Sequence, residues 1–261
     1  MKVTLITGAS SGIGEEFARQ LAAEKHNLVL VARNEKKLHE LCDELMLKHN
    51  IMAHYVALDL TESDADKKLF DETERHGFEV DWLINNAGFG SVGDFTKLEI
   101  DRELQMIELN ISALVSLTHC YLKKMRNRKS GTIINVSSAA GFQPLPFMAT
   151  YAATKAFVTS FSEAIGEENR PFGIHVMALC PGSTKTNFFA ASNIDKPLVV
   201  KGQHTSEEVV KIALKAIKSG RTRIVTGVAN YIGAVLGTFV PTVVTTRVMA
   251  KTMRSRFQED E

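Results

Sequence analysis

Three side chains at defined spacing carry the chemistry this sequence offers. Tyr151 and Lys155, in Tyr151-Ala-Ala-Thr-Lys155, are four residues apart, so on a helix they share one face. A phenol titrates near 10 and is a poor acid or base at neutral pH. A lysine cation about 4 Å away, at an effective dielectric near 20, favours the phenolate by roughly 4 kcal/mol. That is about three pKa units, enough for the Tyr151 oxygen to exchange a proton near pH 7. Ser138, thirteen residues upstream, ends a predicted strand and can hold a substrate oxygen whose charge changes. Its neighbour Ser137 is read as a hydroxyl that satisfies backbone groups.

A second cluster suits a phosphate. Thr7-Gly-Ala-Ser-Ser-Gly-Ile-Gly14 places Gly8, Gly12 and Gly14, with Ser10, Ser11 and Ile13 between them, after one apolar run and before a helical one. The spacing differs from GxGxxG, but the physics is shared. Glycines allow a tight turn and close backbone approach, and a helix N-terminus supplies free N–H groups. The same letters, Gly8-Ala-Ser10-Ser-Gly12, also match the GxSxG elbow of serine hydrolases. That elbow borrows an oxyanion N–H from the loop of an earlier strand, and no strand is read before this one; the hydrolase stays an alternative. Arg33 ends the second predicted strand, where dinucleotide folds carry an acid for the ribose 2′-OH. A guanidinium there suits a 2′-phosphate, so NADP(H) is expected in preference to NAD(H). Asp59 and Leu60 end the third strand, beside the expected adenine.

The elements that must position these groups alternate. Apolar strands are predicted at 3–6, 27–32, 52–58, 80–84, 132–136, 174–179 and 223–226. Helices are predicted at 35–48, 61–76 (capped by Thr61 or Ser63), 100–126 and 150–169. Continuous Val/Ile/Leu strands separated by helices imply an α/β fold, a doubly wound parallel sheet covered on both faces. With no linker and no repeat, one Rossmann-type domain over residues 1–261 is expected.

The composition agrees: 261 residues, 44% hydrophobic and 23% charged, exclude a disordered or polytopic membrane chain. A net charge of +1 lacks the footprint of a nucleic-acid binder. The short apolar run at the start is not a signal peptide. Cys42, Cys120 and Cys180 form no CxxC pair, and His54, His119 and His175 show no metal spacing, so reduced cysteines, no metal and a cytoplasmic setting are expected. From Ile224 to Thr246 there is no charge, but Pro241 and three glycines break the stretch. The tail, about 228–257, is read first as a buried or oligomer-interface helix pair. Peripheral membrane contact is the alternative, since basic residues flank the stretch.

These motifs, together with Asn85-Asn86-Ala87-Gly88, Asn110 and Pro181-Gly182, resemble in order the short-chain dehydrogenase/reductase family, over about residues 1 to 190. The resemblance implies an oxidoreductase interconverting a carbonyl and a secondary alcohol. Tyr151 would be the acid/base, Lys155 would lower its pKa and bind the nicotinamide ribose, and Ser138 would orient the oxygen. Asn110 would hold a relay water. Asn86, Ala87 and Gly88 would line the adenosine side, and Pro181, Gly182, Thr184 and Thr186 the nicotinamide side. Residues 184–204 would form a lid whose apolar side chains suit a hydrophobic ketone, 3-oxoacyl or sterol-like substrate. Homodimers or homotetramers would pair through the helices near 100–126 and 150–169. One departure is Ser11, where many NADP-dependent relatives carry a basic residue. A dinucleotide-binding sensor without turnover is the other alternative.

Overall fold

The computed structural model describes residues 1–186, 188 and 203–257. Its centre is a seven-stranded, all-parallel sheet in the order β3-β2-β1-β4-β5-β6-β9. The strands are β1 Lys2–Thr7, β2 Leu28–Ala32, β3 Ala53–Ala57, β4 Glu79–Asn85, β5 Gly131–Val136, β6 Ile174–Cys180 and β9 Arg223–Val225. The two-residue β7 (Thr184–Lys185) and β8 (His204–Thr205) pair with each other. Most of the predicted lid, 184–204, lies outside the described residues.

Alternating side chains leave the sheet on opposite faces, so each strand feeds two cores. Ile6, Leu30, Ile84 and Ile134 pack with Phe17 and Leu21 of α1 (Gly12–Ala23), with α2 (Glu35–His49) and with α7 (Ser206–Lys218). Leu5, Val29, Leu83 and Ile133 pack on the other face, against α3 (Ala65–Arg75) and α5 (Leu114–Arg128). α6 (Ala149–Asn169) lies along β6. Burial on both faces is why these strands read as unbroken apolar runs. The chain winds outward from β1 through β2 to β3, then returns to the other side of β1 with β4. That reversal opens a crevice at the carboxyl ends of β1 and β4, where doubly wound sheets bind ligands.

Two helices differ from expectation. The predicted helix 100–126 is interrupted: α4 (Ile100–Ile107) and α5 flank a wide π-type turn, Glu108–Ala113. Asn110 sits in that turn and ties it to Phe89 and Thr154, and such bulges cluster at functional sites. The predicted helix 61–76 starts later, at Ala65, with Asp64 as N-cap instead of Thr61 or Ser63. The cause is Asp59, whose carboxylate accepts from the Thr61 N–H and hydroxyl and holds that segment in a turn.

The tail forms α8 (Val228–Phe239) and α9 (Thr242–Phe257), broken at Pro241. Along it Val228, Tyr231, Phe239, Val243, Val244 and Val248 are exposed, so this face is not buried within the chain. Among the described residues no helix is long and apolar enough to cross a membrane.

Candidate active site

The glycine turn is bound to the end of β4. Gly8 and Gly12 have φ of +67° and +61°, a region that side chains rarely adopt. The Thr7 hydroxyl accepts from the N–H groups of Asn86 (2.9 Å) and Ala87 (3.0 Å). The Asn86 amide donates back to the Thr7 carbonyl at 2.9 Å. A Cβ on Gly14 would stand 2.4 Å from both the Gly8 oxygen and Asn86 Nδ2. Gly14 thus seats α1 directly on the turn, with the helix N-terminus facing the crevice.

Behind the turn a buried polar chain joins the sheet to α6. Asn85 donates to Asn135 at 2.9 Å, and Asn135 donates to the Ser162 hydroxyl at 2.9 Å. Asn85 and Asn135 face each other in register across β4 and β5. Ser137 donates to the Lys155 carbonyl at 2.7 Å, as expected for a backbone-satisfying hydroxyl. Ser138 accepts from the Ala140 N–H at 3.1 Å and caps a short helical turn.

Tyr151 and Lys155 enter from the first turns of α6 and are 7% and 4% exposed. The Tyr151 ring packs 5.5 Å from Phe188, and Lys155 Nζ donates to the Val136 carbonyl at 2.9 Å. Burial pushes the Tyr151 phenol up to about 12, opposed by the Ser138 hydroxyl. Burial also pulls the Lys155 ammonium down to about 8. Lys155 Nζ stands 5.9 Å from the Tyr151 ring centroid, and desolvation is the largest cause of the shift in each group. Asn110, 1% exposed, donates to the Phe89 carbonyl (3.0 Å) and the Thr154 hydroxyl (3.1 Å) and accepts from the Phe89 N–H (3.2 Å). A Cβ on Gly88 would lie 2.7 Å from Asn110 Oδ1 and 3.5 Å from Lys155 Nζ, so Asn110 backs the lysine through that glycine.

At the outer end, Arg33 extends into solvent with its guanidinium 3.6 Å from Asp59. Asp59 titrates below the usual range: burial acts upward, but the Thr61 N–H and hydroxyl and the Arg33 charge outweigh it.

All the sequence-predicted site residues except Gly14 and Asn110 line one cavity of about 950 Å³. Gly14 and Asn110 stand behind its wall. A cavity floored by a positive-φ glycine turn and a helix N-terminus, with no room for side chains at Gly8, Gly14 or Gly88, fits a dinucleotide.

A family model described as "short chain dehydrogenase" matches residues 2–197. The chain belongs to the short-chain dehydrogenase/reductase family. Members are oxidoreductases that bind a nicotinamide cofactor. The chain is similar to very-long-chain 3-oxoacyl-CoA reductase of Rattus norvegicus, 32% identical over 219 residues, covering 82% of this chain and 67% of that one. It is 34% identical over 220 residues to 17-beta-hydroxysteroid dehydrogenase type 3 of Mus musculus, covering 83% and 69%. Among solved structures, a short-chain dehydrogenase from Sphingobium yanoikuyae in complex with NADPH superposes with a TM-score of 0.83 at 28% identity, covering 100% of this chain and 98% of that one.

In this dehydrogenase the sequence reading missed much of the wall beyond Tyr151. Phe89, Leu145, Met148 and Met249 line the cavity and, with Phe188 of the expected lid, make that end apolar. Asn230 of α8 lies so close to Gly182 that a Cβ there would overlap its amide at 1.8 Å. None carries a local motif; only the glycine in Pro181-Gly182 hinted at a close neighbour. Ser10, the hydrolase candidate, lines the phosphate end of the cavity, and no histidine among the described residues lines it to serve as a base.

Proposed function

We propose that the protein is an NADP(H)-dependent oxidoreductase interconverting a carbonyl and a secondary alcohol on a hydrophobic substrate, working as a reductase. The observation that carries this reading is the placement of Ser138, Tyr151 and Lys155 on one apolar-walled cavity whose other end is the glycine turn. When bound, the nicotinamide supplies or takes up the hydride. The turn, Gly8 to Gly14 with Ser10, Ser11 and Ile13, would hold the pyrophosphate. Arg33 would take the 2′-phosphate, without a basic partner at Ser11. Asp59 and Leu60 would flank the adenine, with Asn86, Ala87 and Gly88 on the adenosine side. Pro181, Gly182, Thr184 and Thr186 would pack around the nicotinamide.

At the reacting end, the Ser138 hydroxyl would orient the substrate oxygen. The Tyr151 phenol, held unionised well above neutral pH, is set to donate a proton to that oxygen in reduction. Lys155 would bind the nicotinamide ribose, and Asn110 would hold a water that returns the proton to it. The apolar wall supports a hydrophobic ketone, and the names of the two relatives, an acyl-CoA reductase and a steroid dehydrogenase, support the same class. Tyr151→Phe tests the reading by NADPH consumption over a ketone and 3-oxoacyl panel. Turnover should fall by roughly 10²–10⁴-fold while NADPH binding stays nearly intact. Undiminished turnover would sink the mechanism; a wild type that binds NADPH but reduces nothing would favour a sensor.

We further propose one domain with 184–204 as its lid, and pairing of copies through the helices of 100–126 (α4 and α5) and α6. Exposed Ile100 and Leu104 on α4 and Phe157 on α6 support that face. The three free cysteines support a reducing, cytoplasmic setting. The exposed apolar face of α8 and α9 suits peripheral contact with an anionic bilayer. Residues 228–257 carry Arg247, Lys251, Arg254 and Arg256 and no acid, so two copies meeting there would oppose like charges. Met249 connects this face to the cavity.

A further inference from the structure

Two histidines and a glutamate meet at the edge of the sheet, away from the cavity. His54 is the second residue of β3, the edge strand, and Glu72 and His76 lie one turn apart at the end of α3. Glu72 Oε1 stands 3.5 Å from His54 Nε2 and 3.3 Å from His76 Nδ1. All three ligand atoms lie within 4.8 Å of one another. An ion bound tetrahedrally at about 2.0–2.1 Å spaces its ligand atoms roughly 3.4 Å apart, which matches both measured edges. The other carboxylate oxygen, Oε2, pairs with Arg75, so Oε1 is presented singly and Arg75 orients it from behind.

A second observation points to a missing partner. His54 Nε2 is buried and has no hydrogen-bond partner, because 3.5 Å to Glu72 exceeds normal hydrogen-bond length. The His54 ring is held in place beside His76 and Phe78. A buried ring nitrogen without a hydrogen-bond partner is destabilising unless something binds it. We propose that His54, Glu72 and His76 form a zinc(II) site, with a fourth position for water. Two imidazoles and one carboxylate select a borderline first-row ion over magnesium or calcium. His76 Nδ1 also lies 3.0 Å from its own helix carbonyl, that of Glu72, and exchanges that contact for the ion. The site pins β3 to the end of α3. It lies at the amino end of the strand, opposite the carboxyl-end cavity, so its effect is on stability.

The test is zinc chloride titration of the EDTA-stripped full chain by calorimetry, with thermal unfolding in parallel. Wild type should bind one equivalent and melt at a higher temperature with zinc. Glu72→Gln and His54→Phe, which keep size and ring packing, should each bind at least about tenfold more weakly and lose the thermal shift. His39→Ala, which removes a surface His39–Asp43 pair, should change neither. If His54→Phe does not fold, Glu72→Gln decides. A wild type with no saturable zinc binding, or variants that bind as wild type does, overturns the assignment. Turnover is not the readout, so the result is independent of the proposed reaction.

Discussion

Replacing Lys155 by methionine should make the protein at least as stable at pH 7 and less stable at pH 10.5, while removing its activity. Burial depresses the folded-state pKa of Lys155 from 10.5 to about 8. The unfolded chain therefore holds that proton more tightly, and stability rises with pH between the two values. Below about pH 8 the ammonium is charged in both states and the burial cost is fully present. That cost is about 3 kcal/mol, from 1.36 kcal/mol per pKa unit, and it has nearly vanished at pH 10.5. Methionine fills similar space without a charge, so the cost disappears at every pH. It also removes the bond to the Val136 carbonyl, 2.9 Å long in the wild type. An acceptor left without its donor costs about 1–3 kcal/mol at either pH. Urea unfolding of both proteins at pH 7 and pH 10.5 measures the comparison. The stability difference should shift by about 3 kcal/mol toward the wild type as pH rises. A difference independent of pH, or one moving the other way, would refute the argument that Lys155 is held against a burial penalty for function.

Three further outcomes follow from other parts of the structure. Arg33→Asp should lower the NADPH-to-NADH ratio of kcat/KM by about ten- to a hundredfold, the loss of one charge-assisted bond of roughly 1.5–3 kcal/mol; an unchanged ratio removes Arg33 from phosphate recognition. Gly14→Ala should destabilise by about 1–3 kcal/mol and weaken cofactor binding, because its Cβ meets backbone that cannot yield; an unchanged melting temperature contradicts the packing described. Wild type should co-sediment with phosphatidylserine vesicles and less so with pure phosphatidylcholine, and Val243→Asp combined with Val244→Asp should abolish it. Protein that stays in the supernatant with both vesicles ends the membrane proposal.

Much of the site was legible because its signals are local. Tyr151 and Lys155 are one helical turn apart, and that alone puts them on one face. The glycines of the turn record a backbone conformation and a close approach that larger residues do not permit. Strand ends at Asn85, Ser138 and Pro181 follow from where apolar runs stop, and a parallel sheet gathers those ends on one side. The wide turn at Asn110 was not legible, because its cause is a bond to Phe89, distant in the chain. The same holds for Asn230 against Gly182, and for His54 against Glu72 and His76. By itself the sequence determined the fold class and located the glycine turn and the proposed catalytic side chains, since periodicity and short-range spacing encode these. Only the tertiary structure decided the burial of Tyr151 and Lys155, the apolar wall beside them and the histidine cluster. Those depend on which remote groups remove water from a given atom, and burial is a property of the assembled chain.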